Sequence, residues 1–86
     1  MGKYRIELKK SVRKDLKSIP KEDLRRIISA IGSLADNPRP PQSKKLSGPD
    51  QYRLRQGNYR ILYTISDNVL VVCVVAVGHR REIYRH

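Results

Sequence analysis

An α+β fold, with helices packed on one face of a mostly antiparallel sheet, is what the order of patterns along the 86 residues predicts. Three observations carry it. Apolar residues alternate over Tyr4, Ile6 and Leu8, recur at helical spacing from Val12 to Ala35, and alternate again from Tyr52 onward. Punctuation agrees: Pro20 and Asn37-Pro38 bound the helical stretch, while Gly57-Asn58 and Asp67-Asn68 divide the β stretch. Length is the third, since a chain this short is expected to form one small domain over residues 1–86, with a compact core.

Lys3 to Leu8 reads as the first strand. From about Ser11 the period lengthens, and Val12, Leu16 and Ile19 fall on one stripe of a short helix. Pro20 suits the first turn of a second helix, where Glu22 and Asp23 meet the positive end of the helix dipole. Leu24, Ile27, Ile28, Ile31, Leu34 and Ala35 continue the spacing until Asn37-Pro38 stops it. The short joint predicts an antiparallel helical hairpin. Residues 36–50 hold four of the five prolines and are expected to cross the surface from helices to sheet. Tyr52–Arg55, Tyr59–Ile65 and Val69–Val77 are the remaining strands. The last is apolar throughout, as expected of a central strand covered on both faces. Cys73 within it reads as an inert core residue.

Charge narrows the function. Nineteen Lys and Arg against eight Asp and Glu leave +11, and the pI is about 10.3. Such a surface attracts polyanions. All eight lysines lie at or before Lys45; beyond it the cations are Arg53, Arg55, Arg60, Arg80, Arg81 and Arg85, whose planar forks suit bidentate contact with phosphate. One cysteine forms no internal disulfide, and no Cys/His cluster has zinc-ligand spacing. Paired carboxylates, a Gly-rich phosphate loop and a Ser/His/Asp order are likewise missing, so no cofactor or metal is expected. Val69–Val77 falls short of the ~20 residues that span a bilayer. MGKYRIELKK lacks the apolar stretch of a signal peptide, so the expected location is cytoplasmic, with no membrane partner.

Hairpin register gives the sharpest inference. With Gly57 and Asn58 as a type II′ loop, Gln56 pairs with Tyr59 and Arg55 sits opposite Arg60. Alternation then puts Arg53, Arg55 and Arg60 on one face, and Tyr52, Leu54, Tyr59, Ile61 and Tyr63 on the other. Opposed like charges cost a sheet a few tenths to ~1 kcal/mol. Folding gains nothing from that placement, whereas an anion bound across it would. The plainer alternative is a solvated face with its arginines splayed into water. The carboxyl end, His79-Arg80-Arg81-Glu82-Ile83-Tyr84-Arg85-His86, holds both histidines and a tyrosine. Imidazole, aromatic ring and arginine are what RNA chemistry needs: a proton carrier, a stacking surface and phosphate neutralisation. Against this stand idle surface histidines, and a Tyr84 packed with Ile83 on the sheet.

The segment LSGPDQYRLRQGNYRILYTISDNVLVVCVVAVGHRREIY resembles the RelE toxins of bacterial and archaeal toxin–antitoxin systems. The shared order is leucine-glycine, tyrosine with alternating basic residues, glycine-x-tyrosine-arginine, a Val-rich strand closed by valine-glycine-basic-arginine, and a late tyrosine. The two helices and their Asn37-Pro38 stop also fit, so the resemblance covers the whole chain. It implies a small α+β fold with a curved sheet, ribosome-dependent cleavage of mRNA in the A site, and silencing by an acidic, RelB-like antitoxin. By the same resemblance, Arg53 and Arg55 hold the places of the alternating basic pair, Arg60 follows glycine-x-tyrosine, and Arg80 follows His79. Tyr84 matches the tyrosine that stacks on an mRNA base.

Catalytic work is thus expected of Arg55, Arg60, Arg80, Tyr84, His79 and His86, with RNA binding by Arg53, Arg81 and Arg85. One departure matters. The basic pair is lysine in the best-known members, one of them a proposed general base. Arginine, with a pKa above ~12, accepts protons poorly. Either a histidine takes that role, His79 as the better fixed and His86 as the second candidate, or the arginines only stabilise charge and cleavage is weaker; some relatives place a catalytic histidine at the extreme carboxyl end. Lys9, Lys10, Arg13, Lys14 and Lys17 read as a solvated helix face or as a grip on ribosomal RNA. The alternative function is that of a ParE-like toxin, which shares the fold but poisons DNA gyrase without catalysis.

Overall fold

The computed structural model describes residues 2–48 and 50–79. Its order is β1 (Arg5–Leu8), α1 (Lys10–Lys17), α2 (Lys21–Ser33), β2 (Ser43–Lys45), β3 (Gln51–Gln56), β4 (Tyr59–Ser66) and β5 (Val71–His79). The five strands form one sheet in the order β1-β5-β4-β3-β2. Only β1 pairs in parallel, against β5; the other ladders are antiparallel. This is an α+β fold.

Both helices lie on one sheet face and, with their ends, supply six of the fourteen buried core residues. Val12, Leu16 and Ile19 form the expected stripe, and Ile27, Ile31 and Leu34 follow from the second helix. They meet Tyr52, Leu54, Ile61, Tyr63, Ile65, Val72, Val74 and Val77 from the sheet. Ile28 does not join them; it is 49% exposed on the outer side of α2. Pro20 stands one position earlier than expected, as the N-cap of α2, with extended ψ of 146°. Fixed φ and a missing N–H suit that position nearly as well as the first turn.

Residues 36–50 hold more than a crossing. Ser43–Lys45 pairs with β3 as an edge strand, too short and too charged for its alternation to register in sequence. The β4–β5 connection is also longer than expected. It spans Asp67–Leu70, ends on Leu70 in the left-handed region (φ 55°), and delays β5 to Val71. Gly57 takes the positive φ of 59° that the hairpin turn requires.

Strand β5 is central, but only one of its faces is covered. Val72, Val74 and Val77 are buried under the helices, while Val71, Cys73 and Ala76 on the other face are half-buried. Cys73, paired with Glu7 and Thr64, belongs to this open face and not to the core.

One irregularity decides the layout at the hairpin end. Leu62 pairs with Ala76 and Tyr63 with Val74, so Val75 is an extra residue in β5. Such a bulge reverses the alternation beyond it. Val77 and His79 therefore turn to the helix side, and Ala76 and Gly78 to the open side.

Candidate functional site

The open face collects cations from three neighbouring strands. Arg55 pairs with Arg60 and Gln56 with Tyr59, the register the turn residues predict. Arg53 lies on the same face two residues before Arg55, and Lys44 of β2 stands opposite it. Directly paired residues on adjacent antiparallel strands have Cα atoms only about 4.5–5.5 Å apart. Lys44–Arg53 and Arg55–Arg60 are thus two like-charged rungs on one patch. Across the other ladder Arg60 is opposite Gly78, which presents no side chain. Leu62 and Ala76 form the next pair on the same face.

Exposure separates these arginines. Arg55 is exposed and Arg53 half-buried, but Arg60 is only 7% exposed. That counts against the plainer alternative, in which all three arginines splay into water. Arg60 stands on β4, between the ladders to β3 and β5.

His79 is not on this face. It pairs with Tyr59, and the two rings meet edge-to-face at 5.8 Å and 77°. Tyr59 packs against the helix-side core. The pair borders a cleft of about 360 Å³ lined also by Asp15, Ser18 and Ile19. Plain alternation along β5 would have placed His79 with the arginines; the bulge at Val75 moves it to the opposite side. Arg80, Arg81, Tyr84, Arg85 and His86 lie outside the described residues.

Sequence reading missed a second polar cluster, at the far end of the sheet. Arg39 donates to Asp67 from Nη2 at 2.8 Å and Nη1 at 3.2 Å, and its Nε donates to the Tyr52 hydroxyl at 3.0 Å. Its guanidinium lies 5.3 Å over the Tyr52 ring, and Tyr52 stacks on Tyr63. Tyr4 donates to Asp67 at 2.7 Å. Hydrogen bonds from Arg39 and Tyr4 hold the Asp67 carboxyl below its ordinary range, while the Asp67 contact raises the Tyr4 hydroxyl. Four segments distant in sequence, at Tyr4, Arg39, Tyr52 and Asp67, are fastened here, which is structural work. Only the charge of Arg39 among prolines hinted at it. Among the described residues no group of three His, Cys, Asp or Glu side chains is placed to hold a metal ion.

Comparison with known proteins fits this layout. Residues 6–84 match the family described as the ParE toxin of the type II toxin–antitoxin system parDE. The chain is 31% identical over 88 aligned positions to the putative toxin RelE1 of Methanocaldococcus jannaschii, covering 98% of both. It is 33% identical to toxin RelG of Mycobacterium tuberculosis, over 95% of this chain and 97% of that one. The archaeal RelE–RelB complex from Pyrococcus horikoshii superposes with a TM-score of 0.84 at 32% identity, covering 91% of this chain and 96% of that one. Fold and matches together define the class: a toxin of type II toxin–antitoxin systems. Within the RelE/ParE toxins the chain belongs to the RelE-like family, and the gyrase-poison alternative is not favoured.

Proposed function

We propose that the protein is a ribosome-dependent endoribonuclease that cleaves mRNA in the A site and so inhibits translation. The observation that carries this reading is the Arg55–Arg60 rung on the sheet face the helices leave open. Two arginines in register, with Arg53 on the same face and a glycine opposite, concentrate the cationic charge that a phosphate needs as its own charge grows during reaction.

In the proposed reaction the 2′-oxygen attacks the adjacent phosphorus. Its proton passes to a base, and the bond from phosphorus to the 5′-oxygen breaks as that oxygen gains a proton. The products are a 2′,3′-cyclic phosphate and a 5′-hydroxyl. Arg55, Arg60 and, by resemblance, Arg80 stabilise the pentacoordinate charge, so the reaction needs no metal. Tyr84 stacks on a base, and Arg53, Arg81 and Arg85 hold the backbone. With His79 on the far side of the sheet, His86 is the histidine left to move the proton.

The partner is an acidic antitoxin. The Pyrococcus horikoshii relative is solved with its RelB, and a surface of +11 suits an acidic chain. No helix among the described residues is long and apolar enough to cross a membrane; a cytoplasmic site of action follows from the ribosomal target.

The test combines programmed ribosomes and end-labelled mRNA with a parallel gyrase supercoiling assay. Expected are cleavage within the A-site codon, a cyclic phosphate end, no effect of a chelator, and unimpaired supercoiling. Intact mRNA beside inhibited gyrase would overturn the reading.

A further inference from the structure

We infer that Tyr59 and His79 form a ring clasp that positions the end of β5 for the reaction on the arginine face, the imidazole acting through its ring and not as the proton carrier. This rests on the ribonuclease reading above. Four features of the hairpin end support it.

The first is sidedness. A general base must come within about 2.6–3.2 Å of the proton it takes. The His79 ring packs on Tyr59 on the helix side, and the sheet backbone separates it from Arg55 and Arg60. The second is how that sidedness arises. Val75 is an inserted residue, and without it the alternation would have put His79 beside the arginines. Bulges of this kind re-aim side chains near functional sites. The third is the surroundings of the pair. Asp15, Ser18 and Ile19 from α1 and its end line the same cleft as Tyr59 and His79, so the pair faces that helix across it.

The fourth is covalent connectivity. Tyr59 immediately precedes Arg60, and His79 immediately follows Gly78, the residue opposite Arg60. A clasp between residues 59 and 79 therefore fixes the distance between the two strands at the rung that carries Arg60. It also fixes where the chain bearing Arg80 and Tyr84 begins. Misplacement of a catalytic group by about 1 Å can cost 10²-fold in rate. Neither residue needs to touch RNA to matter.

Single-turnover cleavage on programmed ribosomes, followed across pH, separates ring from proton. His79→Phe keeps an aromatic ring and removes the ring nitrogens. It should cleave within about 3-fold of the parent and leave the pH profile unchanged. His79→Ala and Tyr59→Ala should each lose roughly 10- to 100-fold. The double variant should be no slower than the slower single one, because both remove the same contact. His79→Phe that loses cleavage, or shifts the pH profile, would show a proton carrier and overturn the clasp.

A second measurement is independent of cleavage. The His79 ring protons should carry a ring-current shift that disappears in Tyr59→Leu; identical shifts in both proteins overturn the clasp. If the parent cleaves no RNA, the ribonuclease reading fails and the positioning role fails with it, while the shifts still decide whether the rings are clasped.

Discussion

Arg55 and Arg60 face one another across the β3–β4 ladder, yet the first is exposed and the second only 7% exposed. The same like-charged rung thus joins a surface residue to a buried one, and the two should respond differently to truncation. Arg55→Ala relieves repulsion and uncovers nothing. Its stability should be unchanged or higher by a few tenths of a kcal/mol. Cleavage should fall about 10²-fold, the scale for one preorganised charge stabiliser. Arg60→Ala removes a packed stem as well, so about 1–3 kcal/mol of stability should go with the activity. Urea unfolding beside single-turnover cleavage checks both; equal stability losses would mean that exposure does not separate the pair.

The Asp67 cluster predicts an acid-sensitive fold. Its carboxyl is held below the ordinary value near 4 by Arg39 and Tyr4, so the folded state favours the charged form. The stabilisation is then complete above the unfolded-state pKa and is lost as pH falls through the depressed folded value. In Asp67→Asn this contribution is missing at every pH. Its melting temperature should lie below that of the parent at neutral pH and approach it in strong acid. Parallel curves from neutrality down to pH 2 would show that the ion pair adds nothing to stability.

The contrast between Arg60 and His79 shows what a sequence can carry. Register at the β3–β4 hairpin follows from two turn residues, and every pairing from Gln56–Tyr59 to Gln51–Thr64 obeys it. Local chemistry suffices there. The helix stripe is legible for a similar reason, since Val12, Leu16, Ile27 and Ile31 need only a 3.6-residue period. At β5 the same logic fails. VVCVV offers apolar side chains to both faces, so nothing in the run marks Val75 as the inserted residue or reveals that the strand reverses there. Burial of Arg60 escapes for another reason: Leu62, Thr64 and Ser66 share its strand and face and are only half-buried, so neither alternation nor strand order singles it out. The Arg39–Asp67 pair escapes because it joins loops 28 residues apart.

Helix α1 gives the last prediction, in which stability and function should move in opposite directions. Lys10, Arg13, Lys14 and Lys17 are exposed on its eight residues, with no acidic residue in the first turn and no side-chain cap on Lys9. Four neighbouring pairs, 10–13, 14–17, 10–14 and 13–17, carry like charge at i,i+3 or i,i+4 spacing. Each costs an isolated helix about 0.2–0.5 kcal/mol, and a cation near the positive end of the dipole adds to that. Lys10→Glu places an acid in the first turn and converts the pairs with Arg13 and Lys14 into attractive ones. A gain of roughly 1 kcal/mol is expected, or about 4–8 °C in melting temperature for a domain of this size. The cationic face lies on the side of the sheet away from the arginine rung, and a grip on ribosomal RNA phosphate is the alternative to plain solvated surface that this variant tests. With that grip the variant should need more ribosome to reach half-maximal rate, with a weaker salt dependence and an unchanged maximal rate. A variant that is more stable and equally efficient at every ribosome concentration would show the lysine face to be solvated surface.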